Sequence, residues 1–115
     1  MVEIPPKEPK KTSLGMDENV EGLLAYLLGA LTGVIFLVLE KDSDFVRFHA
    51  MQSTILFIGL WILQVILGAI FWPLGTLVVF IEFAVWAFGM VKAYQGERYK
   101  FPYIGDLAEG WMDKI

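Results

Sequence analysis

His49 is the one histidine in the chain. It stands in SDFVRFHAMQS, residues 43–53, between Arg47 and Gln52 at the mouth of a long apolar run. Ser53 follows four residues later, on the same helical face. A serine beside an imidazole suggests nucleophilic hydrolysis, with the ring taking the hydroxyl proton. That chemistry also needs an acid to orient the ring and a glycine-rich nucleophile turn, and the span supplies neither. The plainer reading is an interfacial cluster. Arg47 would snorkel to water and headgroups, while His49 and Gln52 bond the backbone of a loop or tail. No catalytic residue is assigned, and enzymatic activity is not expected.

Glu82 is the second candidate. It lies deep in an apolar run, where a carboxylate costs at least about 2.5–3.5 kcal/mol. Gln64 lies as far before Pro73 as Glu82 lies after it. Two antiparallel helices turning at Pro73 therefore hold both residues at one depth, about 13 Å from the turn. A Gln64–Glu82 hydrogen bond would spare both from lipid, at roughly 0.6–2 kcal/mol. The functional alternative is a proton or cation step at Glu82.

A third group follows the apolar runs in QGERYKFPY, residues 95–103. Glu97 stands within reach of Arg47 or His49. Gly96 permits a turn just outside the membrane, and Pro102 stops a helix from continuing. Arg47, His49, Gln52, Glu97, Tyr99 and Pro102 thus form one polar cluster. It serves either as a docking surface for protein or lipid, or as a latch tying the tail to the bundle. Finally, Gly29 and Gly33 make a GxxxG, extended by Ala25, a pattern that lets helices approach closely within a chain or between chains.

These residues require elements to position them. Of 115 residues, 57% are hydrophobic, above the roughly 45–50% of soluble domains. The excess is concentrated in blocks, as in membrane spans. Gly22–Leu39 carries no charge and would reach about 27 Å as a helix, close to a hydrocarbon core of about 30 Å. Ser43 is placed to cap the next helix, with Asp44 in its first turn. Phe48–Val91 would reach roughly 66 Å unbroken, so it must fold back at FWPLG. The spans are expected at 22–39, 48–72 and 74–91. Residues 1–15, rich in proline and lysine, read as a disordered tail. Ile104, Leu107, Ala108, Trp111, Met112 and Ile115 share one helical face, so residues 104–115 read as an interfacial amphipathic helix. The expected fold is an all-α membrane protein: residues 16–103 form a three-helix transmembrane bundle between that tail and that helix.

Three spans put the first loop and the C-terminus on one face and the N-terminus on the other. Lys41, Arg47, Lys92, Arg98 and Lys100 outnumber Lys7, Lys10 and Lys11, which favours a cytoplasmic loop and tail and an N-terminus outside. The chain has no cysteine and a net charge of −4. Disulfides, thiolate catalysis and cysteine-held metals are excluded, and no basic patch suits nucleic acid. No cofactor or metal site is assigned. The expected partners are membrane lipid and other membrane proteins or further copies of the chain.

Three stretches together carry a resemblance: LAYLLGALTGVIFLVLEKDSDFVRFHAMQS, the apolar hairpin behind it, and KAYQGERYKFPYIGDL. From Gly22 to Leu107 the chain resembles an uncharacterised family of small archaeal and bacterial membrane proteins, grouped with the chloroplast inner-envelope import component of the Tic translocon. The family's motif positions fall on Phe45, Val46, Arg47, His49, Ala50 and Gln52, and on Gly96, Glu97, Tyr99 and Pro102. The resemblance implies a multi-span helical protein of the cell membrane. The chloroplast relative has four spans against the three expected here. Together these readings point to a non-enzymatic structural or interaction component, in one form beside a protein translocation or insertion machine. The alternatives are a small proton- or cation-coupled transporter using Glu82 and, more distantly, an intramembrane hydrolase.

Overall fold

The structure, a computed structural model, describes residues 11–112 and 114. Five helices follow in order: α1 Glu18–Leu27, α2 Ala30–Leu39, α3 Asp44–Ile70, α4 Trp72–Tyr94 and α5 Ile104–Met112. Of the expected tail, residues 1–10 lie outside the described residues. Residues 11–17 make a turn in which Lys11 and Asp17 pair.

α3 begins as its sequence dictates. The Ser43 hydroxyl accepts from the Val46 N–H at 3.2 Å, and Asp44 stands in the first turn, which satisfies one of the free N–H groups of a helix start. α3 and α4 are both long and apolar enough to cross a membrane by length and composition. At 1.5 Å per residue they reach about 40 Å and about 35 Å. The break between them is Phe71, whose extended backbone both ends α3 and starts α4. Pro73 sits in the first turn of α4, where its missing N–H costs nothing, so the boundary falls slightly before the expected one. Just past the turn the two backbones touch: a Cβ on Gly75 would lie 3.0 Å from the Gly68 Cα.

The expected span at 22–39 does not form as one helix. The chain breaks at Leu28–Gly29, where Gly29 takes φ 65° and ψ −132°, a region open essentially to glycine. A break frees backbone groups, and in an apolar setting they must find partners. They do: Thr32 Oγ1 accepts from Leu28 N and donates to Ala25 O, both at 3.1 Å. Ser53 Oγ donates to Gly29 O at 3.0 Å, and Trp86 Nε1 donates to Leu27 O at 3.0 Å.

The two short helices fold back as a hairpin, so the start of α1 meets the end of α2. Ser13 N donates to Glu40 Oε2 at 3.1 Å, Lys41 N to Ser13 Oγ at 3.0 Å, and Ser43 Oγ to Glu18 Oε2 at 3.1 Å. Each arm has ten residues, about 15 Å, roughly half a hydrocarbon core. The tip reaches Phe57 and Trp61 on α3, the atoms nearest a Cβ at Gly29. This corrects two expectations. The first apolar run forms a hairpin of two short helices rather than one helix of span length, and the described N-terminal residues share an end with the first loop and the tail.

The packed region sits at that end. Ala25, Leu37, Phe48, Ala50, Met51, Ala108 and Met112 form one buried cluster, and Tyr26, Ala30, Leu56, Phe57, Ala93 and Phe101 a second. Ile62, Val65, Ile66 and Ile70 of α3 and Leu77, Phe80 and Phe83 of α4 are exposed, an apolar girdle of the kind lipid covers.

Candidate functional site

The cluster expected at the mouth of α3 is a closed hydrogen-bond network around three buried side chains. His49, Gln52 and Ser53, at i, i+3 and i+4, project from one face of α3 and are fully buried. Tyr26 of α1, also fully buried, meets them. Its hydroxyl lies 2.8 Å from His49 Nδ1, while His49 Nε2 lies 2.9 Å from the Glu97 carbonyl. A carbonyl only accepts, so Nε2 carries the ring proton and Nδ1 accepts from Tyr26 O–H. Gln52 Nε2 donates to that hydroxyl and to the Tyr99 carbonyl, both at 2.9 Å, and Gln52 Oε1 accepts from Phe101 N at 2.9 Å. Every polar hydrogen of the Tyr26, His49 and Gln52 side chains has an acceptor. Phe45, Phe48 and Tyr26 rings stand edge-on to the imidazole at 4.7–5.4 Å. Ser53 spends its proton on Gly29 O rather than on His49, so the serine–histidine pair does not meet as a nucleophile and base.

The other expected members do separate work. Arg47 does not snorkel outward. Its Nη1 donates to Leu37 O at 2.8 Å and Glu40 O at 2.9 Å, and its Nη2 to Met112 O at 2.7 Å. One guanidinium thus caps the C-terminal ends of α2 and α5, where a cation suits the helix dipole. Glu97 offers its backbone to His49, while its carboxylate pairs with Lys92 at 3.2 Å rather than with Arg47 or His49. Tyr99 contributes its carbonyl, and its ring packs edge-on against Phe88 and Phe101. Pro102 is exposed and leads into Tyr103, which has φ 64° and is 86% exposed.

α5 docks on this assembly. Ala108 and Met112 are buried, and Leu107 and Trp111 face outward; Ile115 lies outside the described residues. Arg98 reaches Glu109 at 3.4 Å and Asp44 at 3.7 Å and lies 4.5 Å over the Phe48 ring. Lys100 bridges Asp106 at 3.2 Å and Glu109 at 2.8 Å. These contacts hold the Lys100 ammonium above its usual range and the Glu109 carboxyl below its own.

Gln64 and Glu82 meet. With the Gln64 amide oriented to satisfy both groups, its nitrogen donates to Glu82 Oε1 at 2.8 Å and Oε2 at 3.1 Å. Glu82 also borders a cleft of about 290 Å³ with Leu27, Leu28, Gly29, Phe57, Trp61, Phe83 and Trp86. The half-buried carboxylate therefore stands beside the helix break. The GxxxG does not form one continuous face, because Gly29 is the break itself. Gly33 does act as a packing glycine: a Cβ there would meet Thr54 Oγ1 at 2.7 Å and Ala50 O at 2.9 Å. Ala25 is fully buried in the core.

Two buried carboxyls escaped the sequence reading. Glu21 and Glu40 bracket the first apolar run and are both fully buried. Burial, with hydrogen bonding and charge from Glu40, raises the Glu21 carboxyl to about 7, against a lowering by Thr12. Burial would raise Glu40 as well, but hydrogen bonds from Glu21 and from the Ser43, Ser13 and Asp42 N–H groups bring it down to about 2. Their signal was the placement of two acids at the ends of one apolar run, which becomes meaningful only once that run doubles back. Tyr26 was also missed, although it is the one polar aromatic in that run.

Among the described residues the fold is all-helical, with two helices long and apolar enough to cross a membrane and a closed polar latch at one end, the features of a small membrane protein. The chain belongs to the magnetosome magnetite crystal formation protein family, which it matches over residues 17–108. It is similar to a UPF0132 membrane protein of Methanocaldococcus jannaschii, 56% identical over 101 residues, covering 86% of this chain and 92% of that one. A second protein of that name from the same organism is 51% identical, covering 84% and 71%. A UPF0132 membrane protein of Archaeoglobus fulgidus is 49% identical over 100 residues, covering 82% and 94%. No solved structure matches.

Proposed function

We propose that this protein is a non-enzymatic interaction component of the cell membrane. It crosses the bilayer twice through α3 and α4, with α1–α2 re-entering from one side only. The observation that carries this reading is the convergence at one end of the molecule. Residues 11–17, the 40–43 loop, the 95–103 tail and α5 are bonded together there. His49 and Gln52 act inside this assembly as the latch. Docking falls to the exposed groups over it, with Tyr103, Leu107 and Trp111 presenting apolar surface among the charges of Lys100, Asp106 and Glu109. An exposed aromatic beside a charged rim suits a protein partner better than bulk lipid.

Lys11, Lys41, Arg47, Lys92, Arg98 and Lys100 all belong to this end, and the FWPLG turn opposite carries no charge. That distribution favours a cytoplasmic docking face and, with two crossings, an N-terminus on the same side. The resemblance to the family grouped with the Tic import component gives the proposal its specific form, a subunit beside a translocation or insertion machine. The matched family's description speaks of magnetite crystal formation. A scaffolding part in such a process is the form this reading takes. A photo-crosslinking amino acid at Tyr103 in native membranes tests the proposal. Reproducible capture of one defined membrane protein, a second copy included, supports it, and crosslinks to lipid alone contradict it.

A second reading is favoured by one observation: Glu82 borders the cleft at the helix break. Broken helices near mid-membrane commonly flank ion sites in transporters. On this reading Glu82→Gln abolishes proton or cation flux in proteoliposomes while the fold persists. Wild-type protein without flux removes it.

A further inference from the structure

We propose that Glu21 and Glu40 hold a single proton between them, and that this proton closes a clasp across the open end of the α1–α2 hairpin. Each carboxyl has one partnered oxygen and one without a partner. Glu21 Oε1 accepts from Thr12 Oγ1 at 2.6 Å. Glu40 Oε2 accepts from the N–H groups of Ser43 at 2.8 Å, Asp42 at 3.0 Å and Ser13 at 3.1 Å. Glu21 Oε2 and Glu40 Oε1 are buried with no hydrogen-bond donor. The adjacent residues Thr12 and Ser13 bond one carboxyl each, which draws the two side chains together at the hairpin mouth. One hydrogen placed between the two orphan oxygens satisfies both. Without it, two buried carboxylates face each other, and like charges at such range do not both ionise readily.

The surroundings decide which residue carries the proton. Three N–H donors converge on Glu40 and favour its ionised form, whereas Glu21 receives one hydroxyl. Glu21 is therefore the acid and Glu40 the base. The charged neighbours are committed to other contacts. Lys11 pairs with Asp17, Glu18 accepts from Ser43, and Asp44 pairs with Arg98. Arg47 donates to the Glu40 carbonyl, and Lys41 and Asp42 have exposed side chains. The folded values already described, near 7 for Glu21 and near 2 for Glu40, agree with this assignment.

The proton joins three pieces of chain. Glu21 holds Thr12 and the first turn of α1, and Glu40 holds Ser13 and the loop into α3. Removing it above neutral pH sets Glu21 against Glu40, and the clasp opens. Residues 11–16 then leave the hairpin mouth, exposing the buried Thr12 and Ser43. In this way the docking end responds to the pH on its own side of the membrane.

The test is amide hydrogen exchange on the full chain in lipid nanodiscs, corrected for intrinsic rates, from about pH 5.5 to about pH 9. Protection of the Ser13, Asp42 and Ser43 amides falls at least about tenfold across that range in the wild type. Glu21→Gln keeps the bond through its amide N–H, so its protection stays level with pH. Wild-type protection that does not change with pH, or an equal fall in Glu21→Gln, overturns the proposal. An infrared difference spectrum near pH 6, wild type minus Glu21→Gln, provides a readout of the proton itself. A carboxylic-acid carbonyl band is expected, and its absence overturns the shared proton. If Glu21→Gln does not fold, Glu40→Gln serves instead. Its amide donates to Glu21, which is then held ionised without a facing charge, so the fall in protection above neutral pH disappears, and a fall like that of the wild type overturns the proposal.

Discussion

Gln52→Leu removes the centre of the polar latch while nearly keeping its volume. The substitution takes away the bonds to Tyr26 Oη, Tyr99 O and Phe101 N, each at 2.9 Å. The Tyr26 hydroxyl keeps its proton on His49. The Tyr99 carbonyl and the Phe101 N–H, by contrast, are left facing a leucine. A buried polar group without a partner costs about 1–3 kcal/mol. Two such groups, eased by partial relaxation of the tail toward water, give an expected loss of about 2–4 kcal/mol. The loss is local, because α3 and α4 keep their own contacts. Amide exchange at Phe101 should therefore accelerate by roughly 30- to 1000-fold, while exchange in the middle of α3 changes little. Tyr26→Phe leaves both tail bonds in place and should cost about 1–2 kcal/mol. A loss below about 0.5 kcal/mol for Gln52→Leu, with Phe101 protection unchanged, would refute the latch.

Other outcomes follow from the same geometry. Gly33→Leu drives a side chain into Thr54 Oγ1 and the Ala50 carbonyl, 2.7 and 2.9 Å from its Cβ. Chemical denaturation in detergent should show a loss of at least about 1–3 kcal/mol. Arg47→Lys cannot span the carbonyls of Leu37, Glu40 and Met112 together, so α5 should loosen first, seen as faster exchange near Met112 than at Phe101. Glu82→Gln retains a donor–acceptor match with Gln64, and its stability in detergent should change by less than about 1 kcal/mol. Stability should also be highest in mildly acid solution. Glu21 is raised from 4.5 to about 7, so its contribution is present below 4.5 and lost as pH rises through about 7. Glu40 is lowered to about 2, so its contribution is present above 4.5 and lost as pH falls through about 2. Thermal unfolding across pH checks both arms.

Local signals in the sequence were sufficient where local physics decides. Ser43 and Asp44 announced the start of α3. The uninterrupted apolar run announced the helical hairpin, and equal distances from Pro73 placed Gln64 beside Glu82. The spacing of His49, Gln52 and Ser53 gave their shared face. The failure came at Gly29. An uncharged run of span length reads as one helix by hydropathy, because hydropathy does not register where backbone groups find partners. The partners that permit the break are Thr32, within the run, and Ser53 and Trp86, distant in sequence. Tyr26 and Glu21 became legible only after that break. Once α1 folds back against α3, a tyrosine that would have faced lipid faces His49, and acids expected at opposite membrane surfaces become neighbours. The Arg47 caps were hidden for the same reason, since both helix ends arrive from elsewhere in the chain.

If the first apolar run is a hairpin, it enters and leaves the membrane by one face. The chain has no native cysteine, so single cysteines at Leu14, Asp42, Tyr103 and Trp72 can be labelled with a membrane-impermeant maleimide in sealed, oriented vesicles. The cysteines at 14, 42 and 103 are expected to react from one side and the cysteine at 72 only from the other. Labelling of position 14 from the side opposite to position 42 would contradict the hairpin.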